Sequence, residues 1–405
     1  MSAIETADVV IVGGGVLGAS IAYHLVAEGR PGAPAGGRPG RVVVVERDPE
    51  FVRATFALAT GGVREQFAHA ANLALARHAI DVYERFADLL AVDGVPGESG
   101  YRPVGYLFLA DDRNGPALLR RYQANRAAGV PVERLDHARI LLLLPELDLG
   151  GIRFGILGRR DGLIEPRKVQ ASFERAARRL GAEWLTDEVT GIEVDGGRVA
   201  GVTTRGGRRL ATRLVVNAAG PWAARVGRLA GVDVPVTPLR RQVYVVEPAS
   251  PMADDWPFTI DPSGVHFRPD GEGRVRVGEG HGAGLPDPAD LGGGPFPYDA
   301  ARFKTAVLPS LSGRLPPVAR GRLLRGWAAL QDDSPDHAAI LGEHPDRPGF
   351  LLATGLSGHG VMLAPAVGLA IAETIRLGRS TTLDIAPFRP TRFAEGAPVV
   401  EEALL

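Results

Sequence analysis

The stretch VVIVGGGVLG, residues 9–18, decides the fold of this chain. Its first four residues form an unbroken β-branched run that ends at glycines, which is typical of a strand buried on both faces of a parallel sheet. Glycines follow at positions 13, 15 and 18. This spacing allows a tight turn, a close backbone approach to a phosphate, and close packing of helix on strand. We therefore predict a strand, a phosphate-binding turn and a helix over Gly15–Glu28.

A second strand and an acidic residue complete this unit. Arg41–Glu46 is another β-branched run, so strand, helix and strand form a βαβ unit. Glu46 lies further from Gly18 than the usual spacing of about 20 residues, and the Pro/Gly-rich loop Arg30–Gly40 accounts for the excess. A carboxylate there would accept hydrogen bonds from ribose hydroxyls and would repel a 2′-phosphate, so NAD and FAD both remain candidates. The alternative is a glycine-rich turn that binds nothing.

Composition limits the classes of function. The chain has 405 residues, enough for about two domains, and a formal net charge of −1, which offers no basic patch for nucleic acid. It contains no cysteine, which excludes disulfides, thiolate metal ligands and cysteinyl attachment of a cofactor. Its nine histidines are scattered without metal-ligand spacing, and no uninterrupted apolar stretch is long enough to cross a membrane. We expect a cytoplasmic protein with no metal site and no membrane span.

The order of the predicted elements indicates two domains. Alternating strands and helices occur near both ends and in the middle of the chain, whereas strands recur without long helices between Arg240 and Asp332. We predict an α/β fold in which a Rossmann-like dinucleotide domain is assembled from residues 1–90, 150–235 and 335–395. An inserted, mainly antiparallel-sheet substrate domain would contain residues 91–149 and 236–334.

Five ordered motifs carry a resemblance to a known family. They are the N-terminal βαβ unit, the loop Ala54–Arg64 that ends in Gly-Gly-x-Arg, and the segments Val215–Trp222, Pro238–Gln242 and Gly355–Gly360. With these motifs the chain resembles, over nearly its whole length, the FAD-dependent D-amino-acid oxidase and sarcosine oxidase family, and most of all its sarcosine and dimethylglycine members. The resemblance implies FAD as the cofactor and a glutathione-reductase-type FAD-binding domain.

The resemblance also implies how the cofactor is bound. Glu46 would bind the adenosine ribose, Thr55 the pyrophosphate, and the main chain of Val189 the adenine. Backbone N–H groups near Gly358 would lie beside the flavin N1–C2=O edge, where a reduced flavin gathers negative charge. The complete predicted set is Gly13, Gly15, Val16, Leu17, Gly18, Glu46, Arg47, Thr55, Gly61, Gly62, Val189, Ala219, Gly220, Trp222, Gly358, His359, Gly360, Val361 and Met362.

Five further residues are candidates for substrate binding and redox chemistry, namely Arg64, His266, Arg276, Gln331 and His359. Arg64 could bind a carboxylate, face the flavin, or form a loop salt bridge. His266 and Gln331 could contact the substrate, or could be a satisfied strand histidine and a loop residue; His359 could be catalytic or make a structural hydrogen bond. Arg276 aligns with the lysine that activates oxygen in monomeric sarcosine oxidases, or could form a solvated pair with Arg274.

The sequence departs from the family pattern at three positions. Met362 stands where sarcosine oxidases place a carboxylate-binding lysine, which puts that carboxylate clamp in doubt. Ala329 stands at the position of the covalent cysteine, and the loop Thr55–Ala59 contains no histidine, so we expect noncovalent FAD. Arg276 keeps the positive charge of the aligned lysine but loses an easily titrated proton donor.

The resemblance implies oxidation of a C–N bond in an amino acid or in a secondary or tertiary amine, such as a sarcosine-, D-amino-acid- or glycine-like substrate. Hydride transfer to flavin N5 would give an imine that hydrolyses, and oxygen or a redox partner would accept the electrons. Two alternatives remain open. One is a flavin monooxygenase that uses NAD(P)H, and the other is a noncatalytic FAD-bound assembly or partner-binding protein.

Overall fold

A computed structural model describes residues 4–27, 29–30, 37, 39–280, 285–286 and 296–401. A six-stranded sheet forms its first layer. The strands of this sheet, in spatial order, are Ile340–Glu343, Phe350–Thr354, Val215–Asn217, Val9–Val12, Val42–Glu46 and Glu183–Thr186. Only the edge pair between the first two strands is antiparallel. The strands come from three separated segments, which confirms the predicted α/β dinucleotide domain.

Helices cover the six-stranded sheet and explain its apolar strands. Helix Val16–Val26 is buried along its whole length and packs against helices Pro166–Arg179 and Gly360–Leu377. Helix Gly360–Leu377 can approach helix Val16–Val26 closely because Gly368 has no side chain. A Cβ atom at this position would lie only 2.1 Å from the Ser20 hydroxyl oxygen. The remaining α-helices are Ala70–Glu84, Phe86–Leu89, Gly115–Ala127, His137–Leu143, Ala223–Leu229, Ala300–Arg302, Leu308–Ser312 and Pro316–Ala319.

A second, nine-stranded sheet forms the larger part of the inserted region. In spatial order it contains Leu285–Pro286, Thr237–Glu247, Arg274–Glu279, Val265–Gly271, Phe258–Ile260, Tyr106–Ala110, Phe154–Gly158 and Val132–Leu135, with Arg322–Asp333 also paired to Thr237–Glu247. One pair, Phe258–Ile260 with Tyr106–Ala110, is parallel and the other pairs are antiparallel. The mainly antiparallel substrate sheet is therefore confirmed.

The predicted domain boundary at residue 150 is wrong by one strand. Phe154–Gly158 pairs with Tyr106–Ala110 in the larger sheet, so the chain returns to the dinucleotide domain only after Gly158. The physical reason is that a short apolar strand is compatible with either sheet, and its pairing partner decides which one it joins.

Two smaller sheets complete the architecture. One contains Ile4–Thr6, Arg209–Ala211, Arg198–Thr204 and Val189–Asp195, and the other pairs Gly62–Val63 with Gly162–Leu163. Most of the predicted loop Arg30–Gly40 lies outside the described residues.

Helix Gly360–Leu377 is the one described helix that is long and apolar enough to cross a membrane. In the fold, 72% of its 18-residue window is buried inside the protein. The core helix of a water-soluble protein has the same length and composition, so this helix is weak evidence for a membrane span.

Candidate functional site

A cavity of about 480 Å³ lies at the carboxyl ends of the parallel strands. Residues that end or follow four of these strands line it, namely Val12, Glu46, Asp187 and Ala218. Ligands of open α/β sheets bind at this edge, and the volume falls within the usual range for small-molecule sites. The predicted cofactor residues that line the cavity are Gly13, Gly15, Val16, Leu17, Glu46, Arg47, Thr55, Val189, Ala219, Gly220, Trp222, Gly358, Gly360 and Val361.

The three glycines of the first turn have different structural roles. Gly13 has φ +104°, and a Cβ atom there would lie 2.6 Å from the Ala218 carbonyl oxygen. A Cβ atom at Gly18 would lie 1.9 Å from the Gly13 carbonyl oxygen, so Gly18 allows the helix to pack on the strand and does not itself line the cavity. Gly15 lines the cavity, and a Cβ atom there would meet only the Phe56 ring, at 3.6 Å.

The start of helix Val16–Val26 suits a phosphate. Gly15 precedes it without any side-chain cap, and the first turn contains no acidic residue. The first N–H groups of a helix have no partner within it and carry partial positive charge, which favours an anion. The cavity therefore suits a dinucleotide, and the placement of its pyrophosphate at this end of the helix stays a prediction.

Glu46 is positioned by the main chain. One carboxylate oxygen accepts a hydrogen bond from the Gly14 N–H at 2.7 Å, and the other accepts one from the Asp48 N–H at 2.8 Å. Burial raises the pKa of this carboxyl above its usual value, while the two hydrogen bonds oppose the shift. Each carboxylate oxygen can accept a further hydrogen bond, as ribose hydroxyls would require. Next to it, the Arg47 guanidinium stacks 4.4 Å from the Trp222 ring.

The N-terminal end of a second helix, Gly360–Leu377, lines another part of the cavity. Gly358, Gly360 and Val361 lie where helix Gly360–Leu377 begins, again without a side-chain cap. Asp332, which the sequence reasoning missed, also lines the cavity and accepts a hydrogen bond from the Leu356 N–H at 3.1 Å. Burial raises the pKa of Asp332 to about 6. The available signal was an acidic residue at the end of an apolar strand, directly after Gln331.

Some predicted cofactor residues lie beside the cavity rather than on its wall. They are Gly18, Gly61, Gly62, His359 and Met362. Met362 is 6% exposed and packs in the apolar core. Thr55 does line the cavity, but its hydroxyl donates to the Leu330 carbonyl at 2.6 Å, so its contact with a pyrophosphate stays a prediction.

Arg64 and His359, which are far apart in the chain, meet where the two domains join. The Arg64 guanidinium lies 3.2 Å from the His359 Nε2 atom, and Arg64 is only 4% exposed. The rings of Phe67, Tyr106 and Phe108 surround that guanidinium at 4.9, 5.5 and 5.3 Å. The structure describes no ion pair for Arg64, but the buried Asp161 and Arg121 lie close enough for the charge of Arg64 to lower their pKa values, so the three interpretations of Arg64 stay predictions.

A row of stacked rings connects His266 to the main chain at Gly62. The His266 ring stacks on Phe258 with 5.4 Å between ring centroids, and Phe258 stacks on Tyr106 at 4.4 Å. A Cβ atom at Gly62 would lie 2.9 Å from Tyr106 and 3.0 Å from Phe258, so the main chain at Gly62 runs directly along this row of rings. Burial lowers the pKa of the His266 imidazole to about 4, and neighbouring Arg241 and Arg64 add to the shift. His266 is therefore neutral near pH 7.

Arg276 does not form the solvated pair with Arg274. It makes an ion pair with the buried Asp270, and its guanidinium lies 5.4 Å from the Trp327 ring and 3.5 Å from the Thr60 carbonyl oxygen. Arg274 instead pairs with Glu272. The structure therefore places Arg276 beside the loop that precedes Gly61 and Gly62, with its charge opposed by a carboxylate.

Gln331 connects the substrate sheet to the second helix start. Its side-chain nitrogen lies 2.8 Å from the position that a Cβ atom would take at Gly358. Its side-chain oxygen accepts a hydrogen bond from the Arg241 Nε at 3.0 Å. Among the residues that the structure describes, no group of three or more His, Asp or Glu side chains could hold a metal ion.

Several known proteins are similar to this chain over most of its length. The family model described as FAD dependent oxidoreductase matches residues 8–374. The chain is 32% identical over 437 aligned positions to FAD-dependent oxidoreductase domain-containing protein 1 of Xenopus laevis, covering 99% of this chain and 85% of that protein. It is 30% identical to the mitochondrial sarcosine dehydrogenase of Homo sapiens, covering 93% of this chain and 40% of that protein.

A solved structure has the same fold as this chain. The crystal structure of L-proline dehydrogenase from P. horikoshii superposes with a TM-score of 0.85 at 25% sequence identity. The superposition covers 98% of this chain and all of the other. The match extends over nearly the whole chain, so the described fold is shared with that protein.

Proposed function

This chain belongs to the FAD dependent oxidoreductase family, and from that premise we propose that it oxidises a C–N bond in an amino acid or in a secondary or tertiary amine. Bound FAD, held by residues such as Gly15, Glu46 and Val189, would supply the redox chemistry by taking up the hydride lost from the carbon beside the substrate nitrogen, and the imine product would hydrolyse in water. Sarcosine and L-proline, which name two of the similar proteins, are both secondary amino acids.

One observation carries the proposal. The predicted substrate residues are Arg64, His266, Gln331 and His359. They lie along the junction between the nine-stranded sheet and two loops beside the cofactor cavity, one around Gly62 and the other around Gly358. They are contributed by segments that are widely separated in the sequence. Polar side chains gathered beside a cofactor cavity support a site for a small molecule that would react with the cofactor.

The residues at the junction favour the reactive form of an amine. The nitrogen lone pair assists the departure of the hydride, so the amine must bind without its extra proton. The buried Arg64 guanidinium lowers the pKa of a nearby amine by charge repulsion, and the surrounding Phe67, Tyr106 and Phe108 rings lower it further by excluding water. Neutral His266 can accept or donate a hydrogen bond without adding charge.

Anaerobic mixing of the FAD-loaded protein with a substrate panel tests the proposal. The panel contains N-methyl, D-, L- and cyclic amino acids together with simple amines, and the measurement is bleaching of the flavin absorbance near its oxidised maximum. We expect at least one panel member to bleach the flavin and NADH alone to leave it oxidised. Bleaching by NADH alone would instead support a monooxygenase, and no bleaching by any compound would support the noncatalytic alternative.

A matched pair of variants connects the bleaching to the junction. Arg64→Met keeps the length of the side chain and removes its charge, so we expect slower bleaching. Arg153→Met removes an exposed arginine whose described ion pair is with Asp112, and serves as the control because exposed pairs contribute little. Equal slowing by both variants would count against a role for Arg64.

The electron acceptor and location follow as further proposals. We propose oxygen or a protein redox partner as the acceptor. Since Asp270 opposes the charge of Arg276, we expect slow reoxidation by oxygen, and stopped-flow mixing of the reduced protein with oxygenated buffer measures it.

The cytoplasmic location stays a prediction, which fractionation of native cells would test.

A further inference from the structure

The loop that follows Val63 is attached to one buried acidic residue. The Glu65 N–H donates a hydrogen bond to one carboxylate oxygen of Asp161 at 2.7 Å, and the Gln66 side-chain amide donates to the other oxygen at 2.8 Å. Asp161 is 1% exposed, so bulk water has little access to these hydrogen bonds. One side chain thus fixes the loop Arg64–Phe67 at two consecutive residues.

The Asp161 side chain is itself held in a fixed position. Its main-chain carbonyl accepts a hydrogen bond from the Gly105 N–H at 2.8 Å. The two residues after it, Gly162–Leu163, pair with strand Gly62–Val63, which leads into the loop. A Cβ atom at Gly158 would lie only 2.0 Å from the Asp161 Oδ2 atom, so the absence of a side chain at Gly158 makes room for the carboxylate.

The loop brings two side chains to the predicted substrate residues. The Arg64 guanidinium lies 3.2 Å from the His359 Nε2 atom, and the Phe67 ring meets the His359 ring edge to face, with 5.3 Å between the ring centroids. His359 directly precedes helix Gly360–Leu377, whose first two residues line the cofactor cavity. A shift of the loop would therefore change the contacts of Arg64 and Phe67 beside that cavity.

Both hydrogen bonds to Asp161 require its ionised form. An ionised carboxylate accepts at both oxygen atoms, whereas a protonated carboxyl carries a hydrogen on one of them. Burial raises the pKa of Asp161 to about 6, although its hydrogen bonds and the charges of Arg64 and Arg121 oppose this shift. Asp161 is therefore ionised at pH 8 and largely protonated at pH 5.

Other charged and titratable groups face Asp161 from the elements around it. They are Arg64, Glu65, Tyr101, Tyr106, Arg121 and the adjacent Arg160. Burial, together with the charge of Asp161, raises the pKa of Glu65 to about 7. Burial raises the pKa of both tyrosines above its usual value, so they stay neutral. Among these named groups, only Glu65 changes its charge with Asp161 between pH 5 and pH 8.

We propose that Asp161 is a positioning residue for the reaction at the junction. It holds the loop Arg64–Phe67 and so keeps the Arg64 and Phe67 side chains against His359. Asp161 does not line the cofactor cavity, so it acts through the loop and does not touch the reacting molecules. This inference rests on the proposed function, since it concerns the junction where the amine would react.

A double-variant cycle tests the inference with the panel compound that bleaches the flavin fastest. Asp161→Asn keeps the size of the side chain, but an amide has one acceptor oxygen, so one of the two donors loses its partner. We expect kcat/KM to fall by about 10-fold at pH 8, the value of one hydrogen bond to a charged group. In Arg64→Met the same substitution should change kcat/KM by less than about 2-fold, because the side chain that it positions is gone. Equal factors in both backgrounds would overturn the inference.

The pH dependence gives a readout that a loss of stability alone would not give. Protonation of Asp161 removes the same acceptor as Asp161→Asn. The ratio of kcat/KM between the unmodified protein and the variant should therefore fall from about 10 at pH 8 to less than about 2 at pH 5. Protonation of the substrate amine occurs in both proteins and leaves this ratio unchanged. The comparison is repeated with Glu65→Gln present in both proteins, and a ratio that does not change with pH there would contradict the proposal.

Glu373→Gln is the matched control. Glu373 is 2% exposed and accepts hydrogen bonds from the N–H groups of Thr381 and Thr382 at 2.7 and 2.9 Å, near the C-terminal end of helix Gly360–Leu377. The substitution thus removes a buried carboxylate that also binds main-chain donors, but far from the cavity end of this helix. We expect unchanged kcat/KM at both pH values. A fall as large as that of Asp161→Asn would show that the effect is not specific to the loop.

Amide hydrogen exchange follows the loop without any turnover. In the FAD-loaded protein we expect Asp161→Asn to speed exchange at residues 65–67 by about 10-fold and Glu373→Gln to leave it unchanged. Unchanged exchange in Asp161→Asn would refute the role of Asp161. A flavin that no panel compound bleaches would instead refute the proposed function, which is a different result.

A milder variant covers the case in which Asp161→Asn does not retain FAD. Gln66→Met removes one of the two donors and leaves the carboxylate in place. We expect kcat/KM to fall by about 3-fold and the exchange of the loop amides to become faster. If Gln66→Met changed neither quantity, Asp161 would not act through this loop.

Discussion

Replacing Gly15 by alanine should separate cofactor binding from folding. Gly15 has φ −61° and ψ −175°, which alanine adopts without strain, and the added Cβ would meet only Phe56 at an ordinary 3.6 Å. The protein alone therefore has room for the methyl group. The same methyl group would project into the cavity, at the helix start where the pyrophosphate is expected to lie.

The expected loss follows from the hydrogen bonds that the methyl group would displace. Each N–H to charged-oxygen hydrogen bond contributes about 1.5–3 kcal/mol. Losing two at the helix start weakens FAD binding by about 3–6 kcal/mol, which is about 100-fold to 10,000-fold in Kd. We expect Gly15→Ala to fold with an unchanged free energy of unfolding in the absence of FAD, and to show this loss when the apoprotein is titrated with FAD and quenching of flavin fluorescence is recorded.

Gly18→Ala is the informative comparison. Its Cβ would lie 1.9 Å from the Gly13 carbonyl oxygen, so the helix or the turn must move in the protein itself. We expect the apoprotein to lose at least about 1–3 kcal/mol of stability, as overpacked positions do. If Gly15→Ala bound FAD as tightly as the unmodified protein, the assignment of this turn to the pyrophosphate would be refuted.

Three other outcomes test the surroundings of the site. Glu46→Gln removes the charge that would receive the ribose hydroxyls, so we expect FAD affinity to fall about 10-fold in the same titration, and an unchanged Kd would contradict the ribose role. Burial lowers the pKa of His24 to about 4 from 6.5, so the unfolded chain binds more protons between these values and stability is lost as the pH falls from about 6.5 to about 4. The loss of unfolding free energy is about 3 kcal/mol. Urea unfolding of His24→Gln should therefore give a free energy of unfolding that changes less with pH than in the unmodified protein. An equal change with pH in both proteins would contradict the lowered pKa of His24. Since burial raises the pKa of Asp332 to about 6, this carboxyl is charged at pH 8, and Asp332→Asn should raise the flavin midpoint potential there by roughly tens of millivolts. The difference should shrink at pH 5, where the carboxyl is protonated, and redox-dye equilibration at both pH values measures it.

Local sequence rules were sufficient for the cofactor domain. A run of β-branched residues and three spaced glycines specify the strand and the turn through steric constraints within one short segment, and the ribose role of the following acidic residue stays a prediction. The buried strand Phe350–Thr354 follows the same local rule, because it is a short, mainly apolar run between Gly349 and Gly355.

The neighbours of the predicted substrate residues depend on pairing between strands that are far apart in the sequence. Alternation along a strand predicts that Arg241 and Val243 share a face, but it does not say which strands lie beside them. Arg241 meets Gln331, and Arg64 meets His359, only because strands and loops from separate segments pack together. The same holds for Arg276, whose charge is opposed by Asp270 on a neighbouring strand.

The sequence by itself determined the first strand, the glycine turn and the helix that follows it, because these depend on contacts between near neighbours in the chain. Only the tertiary structure decided which charged side chains meet one another at the predicted substrate residues. Strand register fixes those neighbours, and register is set by the packing of whole sheets rather than by any local pattern.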